Sequence, residues 1–296
     1  MLMRMIIDSI KAPLLPVDMK DVLMTPALLA KDLTVSLHGR TLVHGINLRL
    51  EPGERLALLG ASGSGKSLTA AALLGQLPSE MTAKGELQVH GQSTPLNRRR
   101  PGHGNLAAIQ QDPMTALNPM VRLGLQIGIP LRDSGLSAKD AHQRAIALLN
   151  SVGIEDPERA ANSFSGELSG GQLQRVCIAL ALACRSSILI ADECTTALDV
   201  ISQAKVLEVL TRKNKNKPAI LFITHDIAAA AALCTRAMVL HHGRIVEEAS
   251  MADVLAHPHH AYTQRLVEAA REGFGSLHRR GGSDVVALPS AKAGAA

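Results

Sequence analysis

The chain has 296 residues, 46% hydrophobic and 19% charged, with a formal net charge of +5. That length accommodates one large α/β core and a small subdomain. Its apolar stretches, such as Val176 to Ala183 and Ile227 to Cys234, stop well short of the roughly 20 residues that cross a bilayer. A basic balance suits anionic lipid or nucleic acid, but one Tyr, three Phe and no Trp leave almost nothing for bases to stack on, so no nucleic acid partner is expected.

Residues 1 to 23 carry Met1, Met3, Met5 and Met19, followed by Met24, and are expected to be a flexible arm or a mis-assigned start. They lack the cationic, apolar and small-residue blocks of a secretory signal. Asp32 to Leu37 reads as the first strand, and Arg55 to Leu59 is a short apolar run. After it come Gly60-Ala61-Ser62-Gly63-Ser64-Gly65-Lys66-Ser67 and Leu68, opening a stretch with helical character. Strand, glycine loop and helix in this order form a phosphate site. Glycines let the backbone turn so that N–H groups converge on phosphate oxygens, and the helix N-terminus adds free donors and a positive dipole end. Lys66 is then placed for the β- and γ-phosphates and Ser67 for Mg²⁺.

Further along, Arg98-Arg99-Arg100 before Pro101-Gly102 reads as a solvated turn. Ser137 as N-cap, Asp140 three residues on and Gly153 as a stop predict a helix over 137–153. Leu168-Ser169-Gly170-Gly171-Gln172 precedes a second helix, in which Leu173, Val176, Cys177, Leu180 and Cys184 form one apolar stripe. Ile188 to Ala191 reads as a buried parallel strand delivering Asp192-Glu193 at its C-terminal end. Asp192 is expected at Mg²⁺, and Glu193 at the attacking water. Ile220 to Ile223 is another such strand, ending in Thr224-His225-Asp226, which puts His225 near the γ-phosphate and Glu193.

Cys177, Cys184, Cys194 and Cys234 show no C-x-x-C spacing and read as reduced thiols. Cys194, beside Glu193, is either a small buried filler or a thiol that makes turnover reagent-sensitive. His257, His259 and His260 invite a nickel site, but no supporting carboxylate is close in sequence, so a structural role is the expectation. Residues 271–296, rich in Gly, Ser, Arg and Ala, are expected to be a disordered tail. No internal repeat is visible.

Over about residues 27 to 270, the chain resembles the ATP-binding cassette (ABC) ATPases. The loop through Ser67 and Leu68, the signature Leu168 to Gln172, Gln111 at the glutamine loop, Asp199 in the interface loop Ala197-Leu198-Asp199, and the switch histidine His225 carry the likeness. The resemblance implies an α/β P-loop NTPase cassette over 24–270. It would have a parallel-sheet core, an N-terminal antiparallel β subdomain and a helical subdomain inserted at about 113–185. It further implies hydrolysis of ATP with Mg²⁺ held by Ser67, Gln111 and Asp192, and two cassettes packed head to tail, the signature of one facing the ATP of the other. A second ATPase subunit, two membrane permeases and a periplasmic or extracellular substrate-binding protein are the implied partners. The location would then be the cytoplasmic face of the inner membrane, peripherally.

Gln111 to Pro119 and His257 to Thr263 resemble the peptide and nickel importer subfamily. Oligopeptide members commonly continue into a cysteine-bearing extension, and no such cysteines follow about residue 272. Leu42-Val43-His44-Gly45 and Ser67-Leu68-Thr69 resemble the nickel-import subunit more closely. Uptake of nickel or a nickel chelate is therefore the favoured expectation, with di- or oligopeptide import as the alternative. A soluble ABC ATPase without a transport role is the distant one. Where the family stacks an aromatic on adenine, this chain has Leu37-His38-Gly39, which makes His38 the nearest candidate.

Overall fold

The computed structural model describes residues 25–96, 105–211 and 217–278, with side chains to residue 272. The expected N-terminal arm, the Arg98 to Arg100 cluster and residues 279–296 lie outside the described residues. Alternating apolar residues build the first sheet. β1 (Leu28–Leu37) and β2 (Arg40–Leu50) pair antiparallel around a turn at His38-Gly39, both residues in the left-handed region. β1 begins four residues before the predicted Asp32. Lys31-Asp32 break the alternation as a bulge, with Asp32 at φ 51, and the strand continues on both sides.

β3 (Arg55–Leu59) leaves this sheet for a second one and runs into α1 (Lys66–Leu74). β4 (Met81–Val89) and β5 (Gln92–Ser93) return to the first, giving the order β2-β1-β4-β5. β6 (Leu106–Ile109) then enters the second sheet. From there the chain is helical: α2 (Pro113–Ala116), α3 (Leu123–Asp133), α4 (Ala138–Ser151), α5 (Pro157–Asn162), a 3-10 turn at Ser165–Glu167, and α6 (Gly170–Ala183). Ser137 caps α4 by accepting from the Asp140 N–H at 3.1 Å, and Gly153 stops it at φ 83. α6 is buried well beyond the predicted stripe, Ile178, Ala179, Ala181 and Ala183 included, because it packs on the sheet and on α2, α3 and α4 together.

β7 (Ile188–Asp192), α7 (Val200–Thr211), β8 (Ala219–Thr224), α8 (Ile227–Leu233) and the hairpin β9 (Arg236–His241) and β10 (Arg244–Ser250) follow. α9 (Met251–Ala256) and α10 (Ala261–His278) complete the described chain. α10 carries helix past residue 271, where the tail was expected to begin. Arg271 Nη2 donates to the Leu255 carbonyl and ties this turn to α9.

The second sheet has the order β10-β9-β3-β8-β7-β6, parallel except for β10. Its central strands divide residue by residue between two cores. Ala57, Leu59, Leu189, Ala191, Ile220 and Phe222 face the one shared with the helices. Leu56, Leu58, Ile188, Ile190, Leu221 and Ile223 face the one shared with the first sheet. Burial on both sides is why these strands read as unbroken apolar runs. In-register pairing brings Leu59 beside Thr224, Asp192 beside Ile223 and Ile109 beside Ala191, so the loops leaving β3, β8, β7 and β6 emerge at one edge.

The β9–β10 turn, His242-Gly243, supports that edge. The Gly243 N–H donates to the Ser64 carbonyl at 2.9 Å and its own carbonyl accepts from the His44 N–H at 2.8 Å. Gly243 has φ 72, and a Cβ there would lie 2.1 Å from the Leu42 carbonyl oxygen. Gly39 also has positive φ but open space around it. Gly243→Ala should therefore cost about 3 kcal/mol or more in denaturant unfolding, against about 1 kcal/mol for Gly39→Ala; equal costs would refute the clash.

Candidate active site

The glycine loop, Gly60 to Ser67, is closely packed where it leaves β3. A Cβ on Gly60 would meet the Leu240 carbonyl at 2.4 Å and Ser64 Oγ at 2.7 Å, so only glycine fits where the chain leaves β3. Gly65, at φ 107, turns the chain into α1, whose first turn has no side-chain cap. Its leading N–H groups are therefore left for an anion. Lys66 begins this helix with only 5% of its side chain exposed, and its Nζ donates to the Gly60 carbonyl at 2.8 Å and the Ala61 carbonyl at 3.0 Å.

The strand ends supply the acids. Lys66 Nζ lies 3.5 Å from Glu193 Oε1, and Glu193 Oε2 is 2.7 Å from His225 Nδ1. Glu193 is 10% exposed and His225 57%, so a largely buried carboxylate meets a mostly exposed imidazole. The Glu193 backbone sits at φ 49, its N–H on the Ile223 carbonyl at 2.9 Å, its carbonyl accepting from Thr196 Oγ1 at 2.9 Å. A non-glycine residue held left-handed costs about 1–3 kcal/mol, so the contacts around Glu193 must hold it there. Burial, foremost, pushes the Asp192 carboxyl above its usual range, and a hydrogen bond from Ser67 partly opposes this.

Two buried polar atoms here, Ser64 Oγ and Asp192 Oδ1, have no hydrogen-bond partner among the described residues. Hard oxygen donors on Ser67 and Asp192 beside uncapped helical N–H groups suit a divalent cation and a phosphate chain. Gln111 lies exposed in the loop after β6, the strand paired with β7. Its neighbour Gln110 is fixed by Gln76, Thr115 and Gln174.

A second group forms at the start of α6. Ser169 Oγ accepts from the Gln172 N–H at 3.3 Å while Gln172 Oε1 accepts from the Ser169 N–H at 2.9 Å, leaving Ser169 and Gly170 exposed. The Gly171 Cβ position lies 3.4 Å from the Ala197 carbonyl and 3.8 Å from Leu198, so signature and interface loop are adjacent in one chain. Asp199 has an additional task that the sequence reading missed: it caps α7 by accepting from the Ser202 N–H at 2.9 Å and Ser202 Oγ at 2.7 Å. Those bonds, the backbone one first, hold its carboxyl below the usual range.

Three other expectations gain a structural setting. His38 sits exposed in the β1–β2 turn at φ 47, whereas His44 packs against Gly243, which bonds to the phosphate loop. Cys194 is fully buried and burial pushes its thiol up to about 12, which favours the filler role over a reagent-sensitive one. The histidine segment does have a carboxylate nearby: Glu247 accepts from the His259 and His260 N–H groups, each at 2.9 Å. It organises backbone there, and among the described residues no cluster of His, Cys, Asp and Glu is arranged to hold a metal ion.

The sequence model of the ABC transporter family matches residues 43–196. A probable peptide ABC transporter ATP-binding protein, y4tR of Sinorhizobium fredii, is 43% identical over 76% of this chain and 70% of its own length. The oligopeptide transport ATP-binding protein OppD of Bacillus subtilis is 37% identical over 90% and 76%. Among solved structures, the dimeric post-hydrolysis state of the cassette MJ0796 bound to ADP and Pi superposes with a TM-score of 0.66. It is 27% identical and covers 76% of this chain and 98% of that one. A P-loop cassette with buried acids beside its lysine, matched at this level over most of its length, belongs to the ABC transporter family as an ATP-hydrolysing subunit.

Proposed function

We propose that this chain energises peptide import through a membrane permease, and that Glu193, flanked by Lys66 and His225, is its hydrolytic centre. The observation that supports the chemistry most is the pair of contacts on opposite oxygens of one buried carboxylate, 3.5 Å to Lys66 and 2.7 Å to His225. Peptide cargo, the alternative in the sequence reading, replaces nickel. The two relatives above are named for peptide and oligopeptide transport, and they match 76% and 90% of the chain. The short stretches at Leu42–Gly45 and Ser67–Thr69 are too small a part of the chain to outweigh that.

In this scheme the Gly60 to Leu68 backbone cradles the triphosphate, and Lys66 exchanges the Gly60 and Ala61 carbonyls for phosphate oxygens. Ser67 and Asp192, with Gln111, would hold Mg²⁺, which neutralises charge on the phosphates. Glu193 orients and deprotonates the attacking water, and His225 keeps its carboxylate aimed. Leu168, Ser169, Gly170, Gly171 and Gln172 would meet the ATP of a second ATPase subunit, with Asp199 at the same interface and His38 near adenine. Two permeases and an external substrate-binding protein complete the assembly. No helix among the described residues is long and apolar enough to cross a membrane, which suits peripheral attachment to the permeases at the cytoplasmic face.

Glu193→Gln should cut ATP turnover by about 10²–10⁴-fold while leaving ATP binding intact, and should accumulate an ATP-bound dimer on gel filtration. Unchanged turnover would remove Glu193 from the scheme. Cargo is tested by uptake of a radiolabelled tripeptide and of labelled nickel in cells lacking this chain and then complemented with it. Restoration of nickel uptake alone would reverse the assignment.

Asp192 gives a pH test. Its folded pKa is raised, so between the unfolded and folded values the native state binds more protons and unliganded stability falls as pH rises. Above that window the full penalty persists. Asp192→Asn should therefore melt about 1–3 °C above wild type at pH 7.5 without nucleotide, a gap that closes toward acid pH, while hydrolysis is lost. A lower melting temperature at neutral pH would show that the carboxylate stabilises the unliganded fold.

A further inference from the structure

Tyr262, the chain's one tyrosine, has no part in the scheme above, yet it touches the phosphate loop from 201 residues away. Its hydroxyl accepts from the Ala61 N–H at 2.7 Å. Its ring stacks on His241, with centroids 3.8 Å apart and planes 18° from parallel, and its own N–H donates to His260 Nδ1 at 3.1 Å. Each support is in turn fixed. His241 ends β9, which pairs with β3 directly below the loop. The His259-His260 backbone is clasped by both oxygens of Glu247 on β10. The aromatic ring therefore cannot shift without disturbing two strands.

Ala61 is pinned on both sides: the phenol takes its N–H, and its carbonyl accepts from Lys66 Nζ at 3.0 Å and from the Ser64 N–H at 3.2 Å. We propose that Tyr262 is a positioning residue for ATP binding: by fixing the Ala61 peptide it holds the phosphate loop, and the carbonyl on which Lys66 rests, ready for nucleotide. The proposal rests on the reading of Gly60 to Ser67 as the nucleotide site and adds to it a determinant at the start of α10. Tyr262 touches neither Glu193 nor His225 in the hydrogen bonds and ring contacts of the described residues, so its removal acts on binding and spares the chemical step.

The test uses the full chain. Tyr262→Phe keeps the ring and its stacking and removes only the acceptor. One hydrogen bond's worth of preorganisation predicts nucleotide affinity about two- to tenfold weaker for a fluorescent ATP analogue, and the same rise in KM for ATP. kcat should stay within about twofold. Amide hydrogen exchange in the peptide spanning 58–65 should speed up without nucleotide and return to the wild-type rate at saturating ATP. His241→Ala, which keeps the hydroxyl but loses the stacking, should move each readout in the same direction by less, and serves if Tyr262→Phe fails to fold. Lys66→Ala separates the two claims. If it binds nucleotide normally, the site reading itself falls. If it loses binding while Tyr262→Phe and His241→Ala match wild type in affinity and loop exchange, only the role of Tyr262 is overturned. A fall in kcat at unchanged KM would also overturn it.

Discussion

A carboxylate and an ammonium, both close to nine-tenths buried or more, meet at the edge of the parallel sheet, and the rest of the site is arranged around their mutual need. Glu193 or Lys66 alone in that environment would cost several kcal/mol of desolvation. Together, with the Gly60 and Ala61 carbonyls on the ammonium and His225 on the carboxylate, most of their bonding capacity is met. Charge held in fixed, largely buried positions needs little reorganisation when reaction begins, the condition under which electrostatics contributes most to catalysis. The left-handed Glu193 backbone lies at the same place, so the residue that meets Lys66 also carries local strain.

The sheet order makes that meeting possible. β3 carries the phosphate loop, β8 carries His225 and β7 carries the acids, and the three are consecutive in space although β7 and β8 lie more than 100 residues after β3. Parallel pairing aligns their C-terminal ends, so three loops distant in sequence share one edge. Arg236 secures the opposite end by bonding Glu54 at 2.8 Å and also reaching Glu248 and the Arg49 carbonyl. The clamp joins β9 and β10 to the turn before β3, and so sets the register from which the phosphate loop departs.

What was legible in the sequence is what has a local signature. Doubly buried strands appear as apolar runs, so 55–59, 188–191 and 220–223 could be placed within a residue or two, and the acids and histidine at their ends came with them. The cap on Ser137 and the stop at Gly153 are likewise written in neighbouring residues. Contacts between distant segments leave no such trace. Tyr262 on Ala61, Glu247 on the histidine backbone and Gly243 on Ser64 each join segments that no periodicity links, and a bulge such as Asp32 interrupts the pattern by which strands are recognised. His38 is local in the same way: the turn chemistry of His38-Gly39 places it in an exposed hairpin.

The same distinction explains why hydrolysis could be read from this chain more readily than cargo. A triphosphate imposes charge, spacing and octahedral metal preference on any protein that binds it, and the solutions are few: uncapped helix donors, a lysine, a hydroxyl and paired acids. In the proposed function, cargo imposes nothing on a subunit whose chemistry is confined to ATP. Four residues around His44 or the three from Ser67 to Thr69 can match a nickel-import sequence with no physical demand from nickel behind them. Their neighbours have other reasons for their identity: the His44 N–H is spent on the Gly243 carbonyl, and Thr69 Oγ1 on the Gly65 carbonyl at 2.9 Å. Similarity spread over most of the chain weighs more, because it samples the surfaces through which an ATPase fits its own permeases as well as the residues that every such enzyme shares.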